Sequence, residues 1–573
     1  MTARISLIAL ALLLVSCAPP RPSDGAAPAG QAPPATEQRA AGPKRITAAI
    51  MGNTRTFSDR VERSSAGSTP GSEELEEIVN AGLAVLDDRG MLHPLLAETV
   101  PSVENGQWRV LDDGRMETTW KLKQNVLWHD GTPFTPDDLV FTMMVMKDPD
   151  MRAFRDVAYD SVARVDAVDS HTVAVTWSRP FIYADTLFTR VRGQPLPKHL
   201  LESSFLEEKA GFLELPYWNR DFVGLGPYQL REWVSGSYAL VSAFDRYVMG
   251  RPKVDEIEVK FIADQNTLIA NILAGVVDVT LGRSISLDQA MQIRDAWRDG
   301  KVELGALDSW IAIYPQFINP NPAVIGNLTF RRALYHAMDR QAMADTLMLG
   351  AVPIAESIVT PNDAFAADVS PAIAHYPYDP RRAAQLIESL GYSKGPDGSY
   401  RDATGQNLSI PTQTSQGNAL QEKALYAVGD FMERIGVQAE PDIVPPQARS
   451  DRARRAGRPG LEVQKQPTGI DALPRYHSKT TPLPENNFTG NNRARYQSVE
   501  LDALIDRLFV TIRRGERAEV LGQILQHMTD QLNVMGLIYD VDPLMVSNRL
   551  ERVVAPKDAT ATVAWNVHDW GAK

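Results

Sequence analysis

The chain contains a single cysteine, Cys17, which ends a short apolar run near the N-terminus. Residues 5–15 carry no charge and follow the basic Arg4. This run is too short to cross a bilayer about 30 Å thick as a helix, but its length is typical of the hydrophobic region of a signal peptide. A chain with one cysteine cannot form an internal disulfide, so its fold has no covalent cross-link and the thiol has another use.

The residues Leu14 to Cys17, Leu-Val-Ser-Cys, resemble the lipobox of bacterial lipoproteins, in which the cysteine is acylated and becomes the new N-terminus. The resemblance implies a lipoprotein signal peptide over residues 1–16 and a lipid anchor on Cys17. It implies that the protein is exported and anchored to the cell envelope, on the periplasmic or outer face of a membrane. The alternative is an ordinary secretory signal peptide in which the cysteine occurs by chance.

Residues 17–44 are rich in proline, alanine and glycine. Seven prolines and no aromatic residue lie between Ala18 and Lys44. Such a composition cannot bury enough apolar surface to offset the entropy lost on ordering the chain. We therefore predict a tether here, and a folded body that begins near Arg45, where the sequence ITAAI predicts a strand.

The overall composition is that of a globular protein, with 44% hydrophobic and 23% charged residues and a net charge of −12. No second apolar run approaches the roughly 18 residues of a transmembrane helix. An acidic chain without a basic stripe argues against nucleic acid as a partner. We expect a monomer without a cofactor.

Local sequence patterns predict both helices and strands, and these elements do not follow a regular βαβ alternation along the chain. Ser72 is predicted to cap a helix whose apolar side continues to Leu83 and Leu86. Turn, cap and alternation signals predict the other elements. These are a hairpin turn at 113–114, a helix opening at 135–136, a strand over 171–177, a helix from 379 to 391 and a hairpin turn at 395–398.

Six stretches, taken in order along the chain, are similar to motifs of the family 5 extracellular solute-binding proteins, the group that contains the dipeptide- and oligopeptide-binding lipoproteins of bacterial ABC importers. Two of them are Trp120 to Thr135, WKLKQNVLWHDGTPFT, and the block that begins Gly224-Leu225-Gly226-Pro227-Tyr228. The others are 93–98, 331–340, 378–391 and 491–505. Together the matches extend from about residue 46 to residue 545.

The resemblance implies an α/β, two-lobed periplasmic-binding-protein fold, type II-like and of the large form, with an extra α/β subdomain on the first lobe. The expected boundaries are 46–85, 201–305 and 536–573 for the first lobe, 86–200 for the subdomain and 306–535 for the second lobe. The implied function is capture of a peptide or similar small solute by hinge closure and its delivery to an ABC permease with its ATPases. The alternatives from other classes are an exported hydrolase with an assembled triad and a sensory receptor on the same fold.

The candidate ligand-binding residues come from three places in the chain. Trp310 and Tyr314 offer aromatic walls where the second lobe begins. Ser68, Thr69 and Gly71 precede a helix, where hydroxyl and N–H groups suit an anionic group.

The third place is a late loop that the family uses for ligand, which here contains Asp471 and Arg475. The family often has a Trp-x-x-Asp motif in this loop, whose acid binds a peptide amino terminus. In this chain the local sequence VQKQPTGID has no tryptophan ahead of Asp471. That departure argues against dipeptide or oligopeptide specificity, though not against the binding function.

Catalytic and metal motifs are not apparent. The sequence has no G-x-S-x-G, H-E-x-x-H, P-loop or C-x-x-C motif. His129 follows a strand beside the turn pair Asp130-Gly131, which favours a structural role. Gly224 and Gly226 lack the third glycine of a dinucleotide site, so a close turn is the better interpretation. We expect no enzyme activity and no metal site.

Overall fold

The computed structural model describes residues 42–66 and 69–573. The predicted signal peptide, Cys17, most of the predicted tether and Ser68 lie outside the described residues. The predicted strand after the tether is confirmed as β1, Arg45–Met51.

The strands, in chain order, have the following bounds. They are β1 Arg45–Met51, β2 Ala84–Leu86, β3 Leu92–Pro94, β4 Trp108–Val110, β5 Met116–Lys121, β6 Val162–Ala167, β7 Thr172–Trp177, β8 Tyr228–Val234, β9 Tyr238–Ala243, β10 Glu256–Ile262, β11 Val279–Leu281, β12 Gly300–Leu304, β13 Ser309–Pro315, β14 Ser393–Lys394, β15 Tyr400–Arg401, β16 Ser409–Ser415, β17 Gln438–Val444, β18 Leu461–Pro467, β19 Met535–Asp540, β20 Pro543–Ser547, β21 Leu550–Glu551 and β22 Gly571–Ala572.

The α-helices follow the same convention. They are α1 Asp59–Ala66, α2 Ser72–Val79, α3 Pro136–Lys147, α4 Val157–Ser161, α5 Lys198–Glu207, α6 Gln265–Leu273, α7 Leu287–Ala296, α8 Leu328–Ala337, α9 Arg340–Leu347, α10 Ala366–Val369, α11 Pro380–Ser389, α12 Ala419–Ile435, α13 Arg452–Ala456, α14 Val499–Leu508 and α15 Arg514–Gln531.

The first lobe is built on a mixed sheet with the strand order β12-β20-β11-β1-β10-β9-β8. Strand β1 lies inside this sheet and pairs in parallel with both β10 and β11. Its inward residues Ile46, Ala48 and Ile50 are fully buried. The sheet therefore joins strands from the start, the middle and the end of the chain.

A separate antiparallel sheet, ordered β4-β5-β7-β6, lies within the segment predicted as the subdomain. The predicted hairpin at 113–114 joins β4 to β5, and the predicted strand over 171–177 is β7. Trp120 and Trp177 are fully buried beneath this sheet, in an apolar core continuous with that of the first lobe. These predictions are confirmed, whereas the exact domain boundaries stay predictions.

The second lobe has its own sheet, ordered β17-β16-β18-β13-β19, and its own apolar core. Strand β13 lies between β18 and β19, and all seven of its residues are buried. Helix α12 packs against β16, β17 and β18. The predicted helix after Asp379 is α11, and the predicted turn at 395–398 joins β14 to β15.

Helix α2 is shorter than predicted, and Ser72 is its first residue rather than its cap. Gly71 occupies the cap position with φ 96°, while the Ser72 hydroxyl donates to Asp59 at 2.5 Å. The helix ends at Val79 because Asn80 is extended and its side-chain oxygen accepts the N–H of Leu225 at 3.1 Å. Leu86, predicted on this helix, instead belongs to β2.

Two short segments connect the lobes. The chain passes from β12 in the first sheet to β13 in the second through residues 305–308, and it returns from β19 to β20 through residues 541–542. The two segments touch, since the N–H of Gly305 donates to the carbonyl oxygen of Asp542 at 2.8 Å. This pair of crossing segments is the natural place for a hinge between the lobes.

Candidate functional site: a cleft above two crossing segments

Three cavities lie along the boundary between the two lobes. The hinge cavity, about 320 Å³, contains residues of both crossing segments and of the α2 N-terminus. The loop cavity, about 280 Å³, shares Asp558 and Ala559 with it and is bounded by Asp471 of the second lobe. The rim cavity, about 320 Å³, shares Pro70 and Arg283 with the hinge cavity. Because neighbouring cavities share lining residues, the three adjoin one another, and we refer to them together as the cleft.

Arg283, which follows β11 in the first lobe, contacts both crossing segments. Its Nη1 lies 2.8 Å from Asp540 Oδ2, and its Nη2 lies 3.2 Å from Asp308 Oδ1 and also contacts Asp542. Lys465 of β18 reaches Asp540 from the second lobe at 2.5 Å. One guanidinium thus ties three carboxylates at the hinge to the first lobe.

These hinge carboxylates have different pKa values. Burial alone would raise the pKa of Asp540, but Arg283 and Lys465 outweigh burial and hold that pKa below its ordinary value. Burial raises the pKa of Asp542 to about 7, although Arg283 opposes the change. The hinge therefore brings together three carboxyl groups and two cationic groups, Arg283 and Lys465.

Glu74, in the first turn of α2, lines the hinge cavity. Burial raises its pKa to about 7, and the neighbouring charge of Glu73 adds to the effect. Within residues 42–66 and 69–573 the Glu74 side chain forms no ion pair, although a hydrogen bond from its own backbone and the charge of Arg190 oppose the rise in its pKa. Glu73 differs, because it contacts both Arg63 and Arg190.

The loop cavity is more evenly charged. Asp471 Oδ1 lies 3.4 Å from Arg192, which packs over the ring of Tyr183 at 5.0 Å. Asp185 also lines this cavity, and burial raises its pKa to about 6 against the opposing charge of Arg517. The Arg192–Asp471 pair joins the subdomain to the second lobe across the cleft.

At the other end of the cleft, Lys423 of α12 lies 3.0 Å from Asp288 of α7. This pair joins the second lobe to the first beside the rim cavity. Both side chains are about half exposed, so solvent screens their attraction. The cleft is thus spanned by one ion pair near each end, with the Arg283 cluster between them.

Comparison with known proteins decides the family. Residues 92–469 match the family described as "Bacterial extracellular solute-binding proteins, family 5 Middle". This chain belongs to that family. The resemblance drawn from the sequence motifs is therefore confirmed.

This family 5 protein is similar in sequence to several named proteins. It is 25% identical over 379 residues to "Oligopeptide-binding protein AppA" of Bacillus subtilis (strain 168), a match that covers 65% of each chain. It is 27% identical over 360 residues to "Glutathione-binding protein GsiB" of Escherichia coli (strain K12), which covers 63% of this chain and 62% of the relative. The match thus spans less than two thirds of each relative's length.

The fold of this family 5 protein is similar to that of NikA from Brucella suis, crystallised in complex with Fe(III)-EDTA. The TM-score is 0.74 at 17% identity, and the similarity covers 92% of this chain and 100% of the other. This likeness concerns the fold alone. The predicted α/β, two-lobed periplasmic-binding-protein fold is confirmed.

Some of the predicted site residues of this family 5 protein line the cleft cavities, and others do not. Thr69 and Gly71 line the hinge cavity, and the Thr69 hydroxyl donates to Glu62 at 3.2 Å. Asp471 lines the loop cavity. Arg475 is half-buried on the same 3₁₀ segment, Ile470–Tyr476.

Trp310 and Tyr314 lie in the core of the second lobe and line none of the three cleft cavities. Their exposed fractions are 2% and 1%. Strand β13 lies between β18 and β19, and the burial of all seven of its residues shows that both of its faces are covered. The sequence did not single out Glu74 as a site residue, nor did it single out Arg283, Asp542 and Arg192, whose ion pairs join distant parts of the chain.

His129 holds the two most recognisable family segments together. The N–H of Gly224 donates to His129 Nδ1 at 3.1 Å, and His129 Nε2 lies 3.0 Å from the carbonyl oxygen of Gly226. Burial lowers the pKa of His129 to about 4, so the ring is neutral at pH 7. With both ring nitrogens engaged by backbone, His129 has the structural role that the sequence favoured.

Within residues 42–66 and 69–573, none of the helices has both the length and the apolar character needed to cross a membrane. In the same part of the chain, no cluster of three or more His, Cys, Asp or Glu side chains is arranged to hold a metal ion.

Proposed function

We propose that this protein is a lipid-anchored receptor that captures a peptide or a similar small solute between its lobes and delivers it to an ABC permease. The observation that carries the proposal is a row of adjoining cavities, lined from both lobes, one of which is bounded by the two crossing segments. Membership of the solute-binding family supports the binding role. The relatives' names, oligopeptide-binding and glutathione-binding, support peptides as the ligand class.

Capture by hinge closure follows from where the cavity walls originate. The loop cavity takes Asp185 and Arg192 from the subdomain side and Asp471 and Arg517 from the second lobe. A ligand that contacts both walls binds better when the walls approach, so it shifts the population toward the closed form. The closed form is then the one that a permease with its ATPases would recognise. The receptor would act as a monomer.

Closure can be tested on the purified protein without knowing the ligand. The protein is first unfolded and refolded to release what it carries, and the released solute is identified by mass spectrometry. That solute, or a pool of tri- to pentapeptides, should reduce the radius of gyration in small-angle X-ray scattering. Tight binding that leaves the scattering curve unchanged would contradict capture by closure, and release of no solute together with no binding from the pool would contradict the receptor proposal.

The lipid anchor is tested separately in cells. Cys17→Ala should release the protein from the membrane fraction or leave it as uncleaved precursor, because each buried CH₂ of the lipid contributes about 0.8 kcal/mol to anchoring. Ser16→Ala is the control, since it changes the preceding residue and retains the thiol. A processed Cys17→Ala protein that stays tightly bound to membranes would overturn the anchor.

A further inference from the structure

Acidic residues outnumber basic residues in the lining of the hinge cavity, whose volume is about 320 Å³. Its lining includes the carboxylates of Glu74, Asp308, Asp542 and Asp558 and the guanidinium of Arg283. Arg283 is already shared among three carboxylates, two of which line this cavity. The lining therefore has more carboxyl groups than cationic groups.

Glu74 is the carboxylate that this arrangement leaves without an ion pair. Its neighbour Glu73 contacts Arg63 and Arg190, whereas within residues 42–66 and 69–573 no cation lies within ion-pair distance of the Glu74 side chain. Arg190 favours the charged form of Glu74, but it already pairs with Glu73 and Glu77, and burial still raises the pKa of Glu74. A cation entering the cavity would supply a direct counter-charge for Glu74.

The same lining argues against an anionic occupant. The sequence suggested that the residues before α2 offer N–H and hydroxyl groups to an anion. In the structure the Thr69 hydroxyl is used by Glu62, and the first turn of α2 presents Glu73 and Glu74. An anion there would meet like charges from the first lobe and from both crossing segments, which disfavours it.

We propose that Glu74 determines specificity for a cationic group of the ligand, an ammonium or a guanidinium seated in the hinge cavity. The inference rests on the proposed receptor function and adds the charge class of the captured solute. The neighbouring loop cavity contains Arg192, Arg517 and Lys557 among its carboxylates. The loop cavity can therefore bind the neutral or anionic remainder of the same ligand molecule. Because the two cavities bind different ends of the ligand, they set its orientation in the cleft.

The ammonium can come from a peptide amino terminus or from a side chain, and matched probes separate the two. Ala-Met-Ala has only the amino terminus, N-acetyl-Ala-Lys-Ala has only the side-chain ammonium, and N-acetyl-Ala-Met-Ala has neither. The fourth probe, 1,5-diaminopentane, carries ammonium groups without a peptide. Binding of each is measured by isothermal titration calorimetry at pH 7.5 with the full chain.

We expect wild-type protein to bind at least one ammonium-bearing peptide about tenfold or more tightly than N-acetyl-Ala-Met-Ala. Glu74→Gln should abolish that preference, while Glu74→Asp should retain much of it because the carboxylate remains. Glu519→Gln is the matched control, since it makes the same change at an exposed position on α15 outside the three cavities. The probe that loses its advantage in Glu74→Gln identifies the source of the cation.

The outcomes separate this inference from the receptor proposal. A preference that survives in a folded Glu74→Gln protein, or equal binding of all three peptides by wild type, overturns the role of Glu74 and leaves the receptor proposal standing. Diamine binding that depends on Glu74, with no peptide bound, supports the inference and contradicts peptide capture. Binding of none of the four probes contradicts both.

Discussion

Arg283→Gln is expected to lower the free energy of unfolding by about 2–4 kcal/mol at pH 7.5. The substitution leaves Asp540, which is 8% exposed, without its arginine, and it strands Asp542 and Asp308 beside it. Removing one partner of a buried ion pair costs about 3–5 kcal/mol. We take a lower range because the Arg283 side chain is 34% exposed and solvent screens part of the interaction.

The measurement is urea unfolding of the Arg283→Gln and wild-type proteins at pH 7.5 and pH 5.5. Without the guanidinium, the hinge carboxylates have raised pKa values and become protonated more readily as the pH falls. Protonation removes the stranded charge, so the deficit should be smaller at pH 5.5. A variant with raised carboxyl pKa values loses stability as the pH rises, which is the direction expected here.

Arg294→Gln is the matched control for the loss of a guanidinium. Arg294 lies on α7 of the same lobe, is 54% exposed and pairs at 3.2 Å with the adjacent, exposed Asp295. Such a surface pair contributes about 0–1 kcal/mol. If Arg283→Gln and Arg294→Gln lowered the free energy of unfolding by the same amount, the Arg283 cluster would stabilise the protein no more than a surface ion pair does.

Local signals in the sequence predicted the local structure well. Caps and turn residues act over three or four positions, so Thr135 with Pro136 correctly opened α3, and the 113–114 turn correctly joined β4 to β5. The end of α2 was mispredicted because tertiary contacts decide it. Asn80 leaves the helix to accept the N–H of Leu225, which is 145 positions away.

The cleft was harder to predict because its charged groups meet over long sequence distances. Arg283 and Asp540 are 257 positions apart. Glu74 has the sequence signature of an ordinary first-turn acid, which complements a helix N-terminus. Only the fold shows that it faces a cavity with other carboxylates. Trp310 and Tyr314 were predicted to line the cleft because they are aromatic, but they are buried in the core of the second lobe. Aromatic residues on a strand indicate burial, and the sequence alone does not tell whether a ligand or the protein's own core covers them.

Gly224→Ala is expected to destabilise the protein by about 2–3 kcal/mol through overpacking. A Cβ at Gly224 would lie 2.0 Å from the carbonyl oxygen of Val79 and 2.9 Å from the ring of Phe222. That carbonyl cannot move aside freely, because it accepts the N–H of Gly226 at 3.1 Å and ends helix α2. The dinucleotide-like glycine spacing thus reflects a close backbone approach.

Gly211→Ala is the matched control, since a Cβ there meets nothing within 4 Å. Urea unfolding at pH 7.5 should show the loss in Gly224→Ala and almost none in Gly211→Ala. The consequence should extend to the cleft, because the helix whose end Gly224 packs against carries Glu74 at its other end. If Gly224→Ala kept wild-type stability, α2 would have to be free to shift along its axis, and the fixed position of Glu74 in the hinge cavity would no longer follow from the fold.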